Sequence, residues 1–440
     1  MTNKSEKNQG VASRVAAARA LESVLTRKGT IDDALTEIYV KMRLNDEDRR
    51  LVHAICGYVF RNLPHIDACL NQVMNRKKDP DPVALHNLLR VGAAQLLYME
   101  VAPHAAVDTC VSAAGSLGIS RQKGLVNAVL RSVHRQKAQL LESHGGALEM
   151  LPAWLKSRWV DTYGESKAKD MAVAMAQEAP LDLGIKDAQA SLEWAQTLGG
   201  DILIPGAVRM RQRAGHIMSW PGFGDGSWWV QDLAASLPIN ALGDIAGKSL
   251  VDVCAAPGGK SMQAASRGAR VTALDVSGSR MQRVTENAAR LKLADAVKTV
   301  VADARQWKPD VTPHIIVLDA PCSATGTLRR HPELPWIHEE KALEQLKVMQ
   351  HELLWHCAGL LQRDGILLYC TCSMEPEEGE FQVESFLNHF KDFKEIRALP
   401  AVVHPYLAPG INNIGWRTNP ADFADMGGLD GFFIAVLQKQ

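Results

Sequence analysis

A chain of 440 residues with 46% hydrophobic and 22% charged side chains is long enough for about two to four domains, and its balance excludes a disordered or collagen-like polymer. Its 49 Lys and Arg match 49 Asp and Glu overall, but residues 1–150 carry +5, residues 151–229 carry −1 and residues 230–440 carry −4. A mildly basic N-terminal third is compatible with nucleic acid without establishing it.

The polar start, Met1 to Gly10, lacks the apolar core of a signal peptide, and no run approaches the ~18 apolar residues of a membrane span. Eight cysteines are too sparse for a disulfide scaffold, so a reducing cytoplasm is the expected compartment. From Val11 to about Leu140 the apolar spacing is helical, as in Val15, Ala18, Leu21 and Leu25 or Leu51, Ile55 and Val59. Asn45 caps an acidic first turn, Pro80 and Pro82 open Val83–Met99, Pro103 opens His104–Leu117, and Gly124–Lys137 closes the series. About five helices with short connections predict an all-α domain over residues 1–144. Its stretch from Arg121 to Lys137 holds five basic residues and no acidic one, either a solvated face or a phosphate-contacting edge.

His144-Gly145-Gly146 reads as a hinge into a small α+β connector, residues 145–229. It holds a short helix, Pro152–Tyr163, strand-like Leu181–Ile185 and Asp201–Ile204, and a turn-rich segment ending at Trp228-Trp229, whose rings are assigned to the core. From residue 230 to 440, strands Ser249–Ala255, Arg270–Leu274, Val297–Val301, His314–Leu318 and Gly365–Cys370 alternate with helices, predicting a doubly wound, Rossmann-like α/β domain. Such sheets bind ligands at the carboxyl ends of their strands.

The first strand-to-helix turn is Asp252-Val-Cys254-Ala255-Ala256-Pro257-Gly258-Gly259-Lys260-Ser261. A phosphate-binding P-loop needs glycine where Cys254 stands, and a dinucleotide fingerprint needs more than the adjacent pair Gly258-Gly259. S-adenosylmethionine, with a zwitterionic amino-acid end and no pyrophosphate, is the third reading. Asp275 closes the second strand, where it can accept from ribose hydroxyls, and Asp303 the third, where it can accept from an adenine amino group. Alone, each Asp is an ordinary helix cap; with Asp319 they form a series after consecutive strands, unsuited to a triphosphate. Two thiols follow at strand ends, Cys322 in Asp319-Ala-Pro-Cys-Ser323 and Cys372 in Tyr369-Cys-Thr-Cys-Ser373. Cys56, Cys69, Cys110 and Cys357 read as inert packing. Cys370-x-Cys372 lacks the spacing and the second ligand pair that zinc requires, so no metal is expected.

Ala-Ala-Pro-Gly-Gly-Lys at 255–260, Asp-Ala-Pro-Cys-Ser at 319–323 and Thr-Cys-Ser at 371–373 resemble the RNA cytosine-5 methyltransferases of the NOL1/NOP2/Sun superfamily. Val230-Gln-Asp232 and Asp430-Gly-Phe-Phe433 are similar to the start and last strand of that catalytic domain, and the resemblance covers roughly residues 145–440. Val91–Leu97 and Leu125–Arg131 resemble the antiterminator NusB, which makes residues 1–144 a NusB-like RNA-binding domain. The pairing is similar to that of the bacterial Sun/Fmu-type enzymes and implies methylation of 16S ribosomal RNA in an unassembled or early particle, by a cytoplasmic monomer that uses S-adenosylmethionine. Ser261, Ser236 and Cys370 depart from the family pattern, where Thr, Gln and no second thiol are usual.

Cytosine C5 is a poor nucleophile until a thiolate adds to C6, a role suited to cysteine. The resemblance makes Cys372 the nucleophile, Cys322 the product-release thiol and Asp319 a hydrogen-bonding partner of the cytosine. DNA cytosine methyltransferases attack with the Pro-Cys thiol instead, so the residues alone leave the assignment open. Lys260 is either a catalytic cation or a partner for a carboxylate. The substrate must be an unpaired or flipped cytosine. Arg209, Arg211, Arg213 and Arg329-Arg330-His331 are candidate phosphate contacts and Trp336 a stacking surface. Transfer RNA is an alternative substrate. An RNA-binding adaptor with a decayed enzyme domain and a nucleotide-dependent dehydrogenase are alternatives of other classes.

Overall fold

The computed structural model describes residues 2–75, 80–143, 145–212, 215–338 and 340–440, with side chains from residue 10 onward. His144 of the expected hinge and the candidate phosphate contact Arg213 lie outside the described residues. The chain divides into two compact units, residues 1–177 with 328–339, and residues 178–327 with 340–440.

The first unit is helical. Its longest helices are Thr2–Arg27, Asp46–Arg61, Val83–Tyr98, Pro103–Ser116 and Lys123–Arg135. Asn45 caps the second of these by accepting from Asp48 N at 2.8 Å, as its position predicts. Val83–Tyr98 is buried from Leu85 to Leu97 and forms the centre. Gly92 on it lies against Leu130, whose Cδ1 would stand 2.5 Å from any added Cβ, so glycine sets how closely Lys123–Arg135 packs. Ile31–Met42, Leu63–Met74 and Lys137–Glu142 are further helices beyond those expected. Ala153–Tyr163, the helix expected at the start of the connector, and Glu165–Ala176, a further one, also pack with this unit.

The second unit holds two sheets. Strands β1 (Leu181–Ile185), β2 (Gly200–Ile204), β3 (Ala207–Met210) and β4 (Trp228–Val230) form an antiparallel sheet in the order β2-β3-β1-β4. The larger sheet contains β5 (Ser249–Val253), β6 (Arg270–Asp275), β7 (Val297–Val301), β8 (Ile315–Asp319), β9 (Ile366–Thr371), β10 (Phe393–Glu395), β11 (Ala408–Pro409), β12 (Trp416–Thr418) and β13 (Phe432–Lys439). Its order is β11-β12-β13-β9-β8-β5-β6-β7, with β10 also on β13. From β7 to β9 every pairing is parallel, whereas β13 runs antiparallel to β9. The doubly wound sheet is thus as expected, with an antiparallel margin added. After β7 the chain returns to the other side of β5, which makes the carboxyl ends of β5 and β8 the topological switch point.

The sequence divisions at residues 144 and 229 do not coincide with these units, because helices 153–176 pack with the helical unit and the small sheet with the α/β unit. Trp228 and Trp229 are core side chains, as expected. Arg209 is not a surface cation. It is 6% exposed, its Nε and Nη2 donate to Asp182 at 2.7 and 2.8 Å, and its Nη1 donates to Met426 O and Gly428 O. The guanidinium fork matches the carboxylate plane, and a buried Asp182 would lose its counter-charge without it. Arg209→Ala should cost about 3–5 kcal/mol in urea unfolding. RNA affinity of the folded fraction should be unchanged; a stable variant with weakened RNA binding would restore Arg209 as a phosphate contact.

Candidate active site

The expected cofactor loop leaves β5 through Cys254, a half-buried residue in left-handed backbone at φ 62°, followed by the buried Ala255 and Ala256. Pro257 leads to Gly258 at φ 104°, and the helix Gly259–Ser266 begins at once. Asp275, at the end of β6, is 4% exposed and accepts from Ala256 N at 3.1 Å and Ser277 N at 2.9 Å. It therefore braces the glycine turn as well as closing its strand. Asp303, beyond β7, receives both faces of the Arg305 fork, at 3.0 and 2.7 Å. Those charge-assisted bonds hold its carboxyl down to about 2.

Lys260 is paired with a carboxylate. Its Nζ donates to Asp319 Oδ2 at 2.8 Å and lies 4.8 Å from the centre of the Phe432 ring. Burial works against the ammonium, but the Asp319 charge and hydrogen bond outweigh it and push its pKa above the ordinary lysine value. Cys370 donates to the other oxygen of Asp319, Oδ1, at 3.6 Å, and is fully buried. Burial and the adjacent carboxylate push this thiol well up, so it stays protonated. Asp319 is thus held from two sides with its side chain still 33% exposed.

Cys322 and Cys372 meet. Their sulfurs are 3.5 Å apart, and both residues are half-buried. The hydrogen bond to Cys372 and then burial push Cys322 well above an ordinary thiol, so Cys322 keeps its proton. The approach is built into the backbone. Ala320 N donates to Cys370 O and Gly326 N to Cys372 O, both at 2.9 Å, so the loop after β8 runs beside the end of β9. Gly431 N donates to Gly326 O at 2.8 Å, and a Cβ on Gly326 would lie 2.0 Å from Gly431 O. Nothing larger than glycine fits there.

Several supporting residues were not expected. Glu378, fully buried, accepts from Ser323 N at 3.0 Å and from Gln350 Nε2 at 2.9 Å, while Gln350 also donates to Pro321 O. Arg417 forks onto Glu380 and donates to Ser373 O at 2.7 Å. The run Pro376-Glu-Glu-Gly-Glu380, acidic and directly behind Thr-Cys-Ser, was the available signal. Of the candidate RNA contacts, Arg211 and Arg330 are exposed, whereas Arg329 is 1% exposed and Trp336 donates its Nε1–H to Phe60 O inside the helical unit. Cys56, Cys69, Cys110 and Cys357 are buried packing, and burial pushes Cys69 up to about 11 and the other three up to about 12. Among the described residues no cluster of metal-binding side chains occurs, and no helix is long and apolar enough to cross a membrane. A cavity of about 960 Å³ includes Arg267 and Gly268, at the opposite end of β6 from Asp275, and its Lys186 and Arg267 donate to backbone carbonyls.

A glycine turn after β5, carboxylates closing the next strands and a thiol pair at the switch point define a methyltransferase of the doubly wound class. Residues 240–438 match the family described as 16S rRNA methyltransferase RsmB/F, and residues 11–135 match the NusB family. Ribosomal RNA small subunit methyltransferase B of Cronobacter sakazakii is 33% identical over 443 residues, covering 97% of this chain and 98% of its own. The protein of that name from Yersinia pestis is 32% identical with the same coverage. The chain belongs to the RsmB/F methyltransferase family. Its fold is also that of the crystal structure of PH0851, with a TM-score of 0.76 over 98% of both chains at 24% identity. A methyltransferase homolog from Pyrococcus horikoshii, 26% identical, gives 0.54 over 65% of this chain and 95% of its own.

Beneath the glycine turn, Asp252 is buried and accepts from Ser261 Oγ at 2.6 Å; loss of hydration raises its carboxyl to about 7. Between its unfolded value near 4 and this folded value, the native state holds a proton that the unfolded state has lost. Native stability should therefore fall with rising pH across that window, at up to about 1.4 kcal/mol per pH unit from this group. Asp252→Asn removes the slope, so its advantage in urea unfolding should grow from pH 4 to 7 and then level. A pH-independent difference would mean that Asp252 is ionised throughout.

Proposed function

We propose that this protein methylates carbon 5 of a cytosine in 16S ribosomal RNA, using S-adenosylmethionine and a covalent adduct between Cys372 and C6. The observation that carries the reading is the 3.5 Å pair Cys322–Cys372, at the switch point where Asp319 bonds Lys260. Two adjoining thiols beside a carboxylate suit covalent addition to a pyrimidine and its reversal, whereas hydride transfer from a nucleotide requires neither thiol.

The residues present fit the cofactor. The helix starting at Gly259 offers amide donors to a carboxylate. Asp275 and Asp303 are the acceptors for ribose and adenine, and Asp319 borders the reacting end. Cys254, Ala255, Ala256, Pro257, Gly258, Gly259 and Lys260 form the wall of that site. When bound, S-adenosylmethionine supplies an electrophilic methyl group on a sulfonium.

The rest falls to the chain. The Cys372 thiolate adds to C6, and the C5=C6 electron pair moves to C5, which takes the methyl group. Asp319, held by Lys260 and Cys370, receives the polar edge of the cytosine, and protonation of the ring there favours addition. Loss of the C5 proton to water then restores the double bond as the C6–S bond breaks and its electron pair returns to the Cys372 sulfur. Cys322, with its proton retained 3.5 Å from that sulfur, assists the departure by donating to it. A target that must be flipped into this crevice is more accessible in unassembled or early small-subunit RNA than in a packed particle.

Cys372→Ala should lose turnover below detection and form no adduct with RNA containing 5-fluorocytosine. Cys322→Ala should still attack and transfer methyl, then accumulate a protein–RNA adduct that survives denaturing gels. The reverse pattern would make Cys322 the nucleophile. Cys370→Ala, keeping both other thiols, should retain the adduct; its loss there would give Cys370 the attacking role.

For RNA guidance we propose the helical unit, through Lys123–Arg135 and its neighbours. Arg131 and Arg135 are exposed one turn apart and bond the neutral Asn127 and Ser132, with Val126, Val129, Leu130 and Val133 on the buried side. Neutralising Arg131, Arg135 and Lys137 together should weaken RNA binding and flatten its salt dependence by ~0.7 per lost single-strand contact. Cofactor affinity should not change. An unaltered salt slope would leave the stretch as a solvated face.

A further inference from the structure

The thiol pair has a chemistry that needs neither RNA nor cofactor. The sulfurs of Cys322 and Cys372 are 3.5 Å apart, in van der Waals contact, and both residues are half-buried. A crevice that admits a cytosine ring also admits a small oxidant. The backbones carrying the pair are clamped: Ala320 N donates to Cys370 O and Gly326 N to Cys372 O, on either side of Cys322 in sequence. Joining the sulfurs therefore takes rotation of two side chains rather than displacement of either strand end.

The other thiols at this end of the sheet are differently engaged. Cys370, two residues from Cys372, donates to Asp319 Oδ1 at 3.6 Å and is fully buried. Cys254 stands on the turn after β5, where burial and then the Asp275 charge push its thiol well up, so it stays protonated. Nucleophilicity, by contrast, is not specific to a pyrimidine. A thiolate able to add to C6 also attacks a peroxide, and the resulting sulfenic acid is oxidised further, irreversibly, unless a thiol captures it. Groups held in contact react as though present at very high concentration, so Cys322 reaches that sulfenic acid ahead of any dissolved thiol.

We propose that Cys322 and Cys372 form a peroxide-sensitive site: hydrogen peroxide closes the pair into a disulfide, which arrests methylation reversibly and shields Cys372 from irreversible oxidation. The Cys372 thiolate attacks one peroxide oxygen and the O–O bond breaks, giving the sulfenic acid and hydroxide, which takes up the proton the thiolate had shed. The Cys322 sulfur then bonds to the Cys372 sulfur, and the departing hydroxide carries off the Cys322 proton as water. Two thiols are oxidised to one disulfide while one peroxide is reduced to two waters. With both sulfurs bonded, no thiolate remains to add to C6 and no thiol proton to assist its departure. A dithiol reopens the pair by exchange, so in a reducing compartment the closed state is transient. The order of attack rests on the nucleophile proposed above; the pairing rests on the contact alone.

The test exposes the full chain, without RNA, to a small excess of hydrogen peroxide, then denatures it, blocks remaining thiols with iodoacetamide and maps the peptides by mass spectrometry. The native protein should yield the Cys322 and Cys372 peptides linked and lighter by two hydrogens, with Cys370 alkylated. Methylation should fall about tenfold or more, and return to within about twofold of its starting rate on adding dithiothreitol. The oxidised protein should still bind S-adenosylmethionine in calorimetry, since neither sulfur lies on the glycine turn. Cys322→Ser should leave Cys372 heavier by two oxygens, as a sulfinic acid that dithiothreitol does not reverse, and Cys370→Ser should form the native link. Treatment in urea should scramble the link among several cysteines. A native protein whose Cys372 becomes sulfinic acid beside a free Cys322, or joins Cys370 instead, would overturn the proposal. So would a link that forms as fast in urea as in the fold, or one that abolishes cofactor binding. If Cys372→Ser instead turns Cys322 into the sulfinic acid while Cys322→Ser keeps Cys372 reduced, the link stands and the nucleophile assignment falls.

Discussion

Everything at the switch point depends on two backbone chains that approach without side chains between them. The Gly326 amide donates to Cys372 O and its carbonyl accepts from Gly431 N, so the exits of β8 and β9 and the start of β13 are laced together where a single methyl group would collide with Gly431 O. Only under that constraint can Cys322 and Cys372 emerge from β8 and β9 with their sulfurs 3.5 Å apart. The buried Glu378 and the Arg417–Glu380 pair serve the same end from below, by occupying the loop's own donors and the Ser373 carbonyl. Charged groups so deep are costly unless satisfied, and here each is.

The electrostatic design follows from crowding acids around one lysine. Asp319 is bonded to Lys260, while Asp252 and Asp275 lie near enough to influence each other. Lys260 and Cys370 both bond Asp319, while Asp252, shut away from water, has its carboxyl raised to about 7. Loss of hydration favours the neutral form of the one carboxylate that lies beneath the glycine turn.

Local pattern made the catalytic sheet legible, because parallel strands are short apolar runs and each is followed by a helix or an acidic turn. Leu181–Ile185 and Val297–Val301 coincide with the observed strands, and the glycine turn follows β5 where Gly258 and Gly259 put it. What pattern could not convey was long-range partnership. Arg209 and Arg329 look like surface cations in a string of letters, yet one is matched to Asp182 from a neighbouring strand and the other is buried in a distant unit. The helix Ile31–Met42 shows the same limit in milder form. Its apolar Ile31, Ala34, Leu35 and Ile38 have helical spacing, but they are embedded among polar residues and become a face only against neighbouring helices. Glu378 escaped notice because an acidic run ordinarily means solvent, and only burial reveals it as an anchor.

The placement of residues 328–339 also bears on how such a protein can be taken apart. The chain passes between its two units at 177/178, at 327/328 and again at 339/340, so neither unit is a continuous stretch of gene. No single cut yields both intact. A fragment beginning at Glu178 would carry an orphaned segment bearing Leu328, Leu334, Pro335 and Ile337, an adhesive apolar strip with its native cover removed. A workable division would have to carry residues 328–339 along with the helical unit and join the chain ends at 327 and 340 by a new linker.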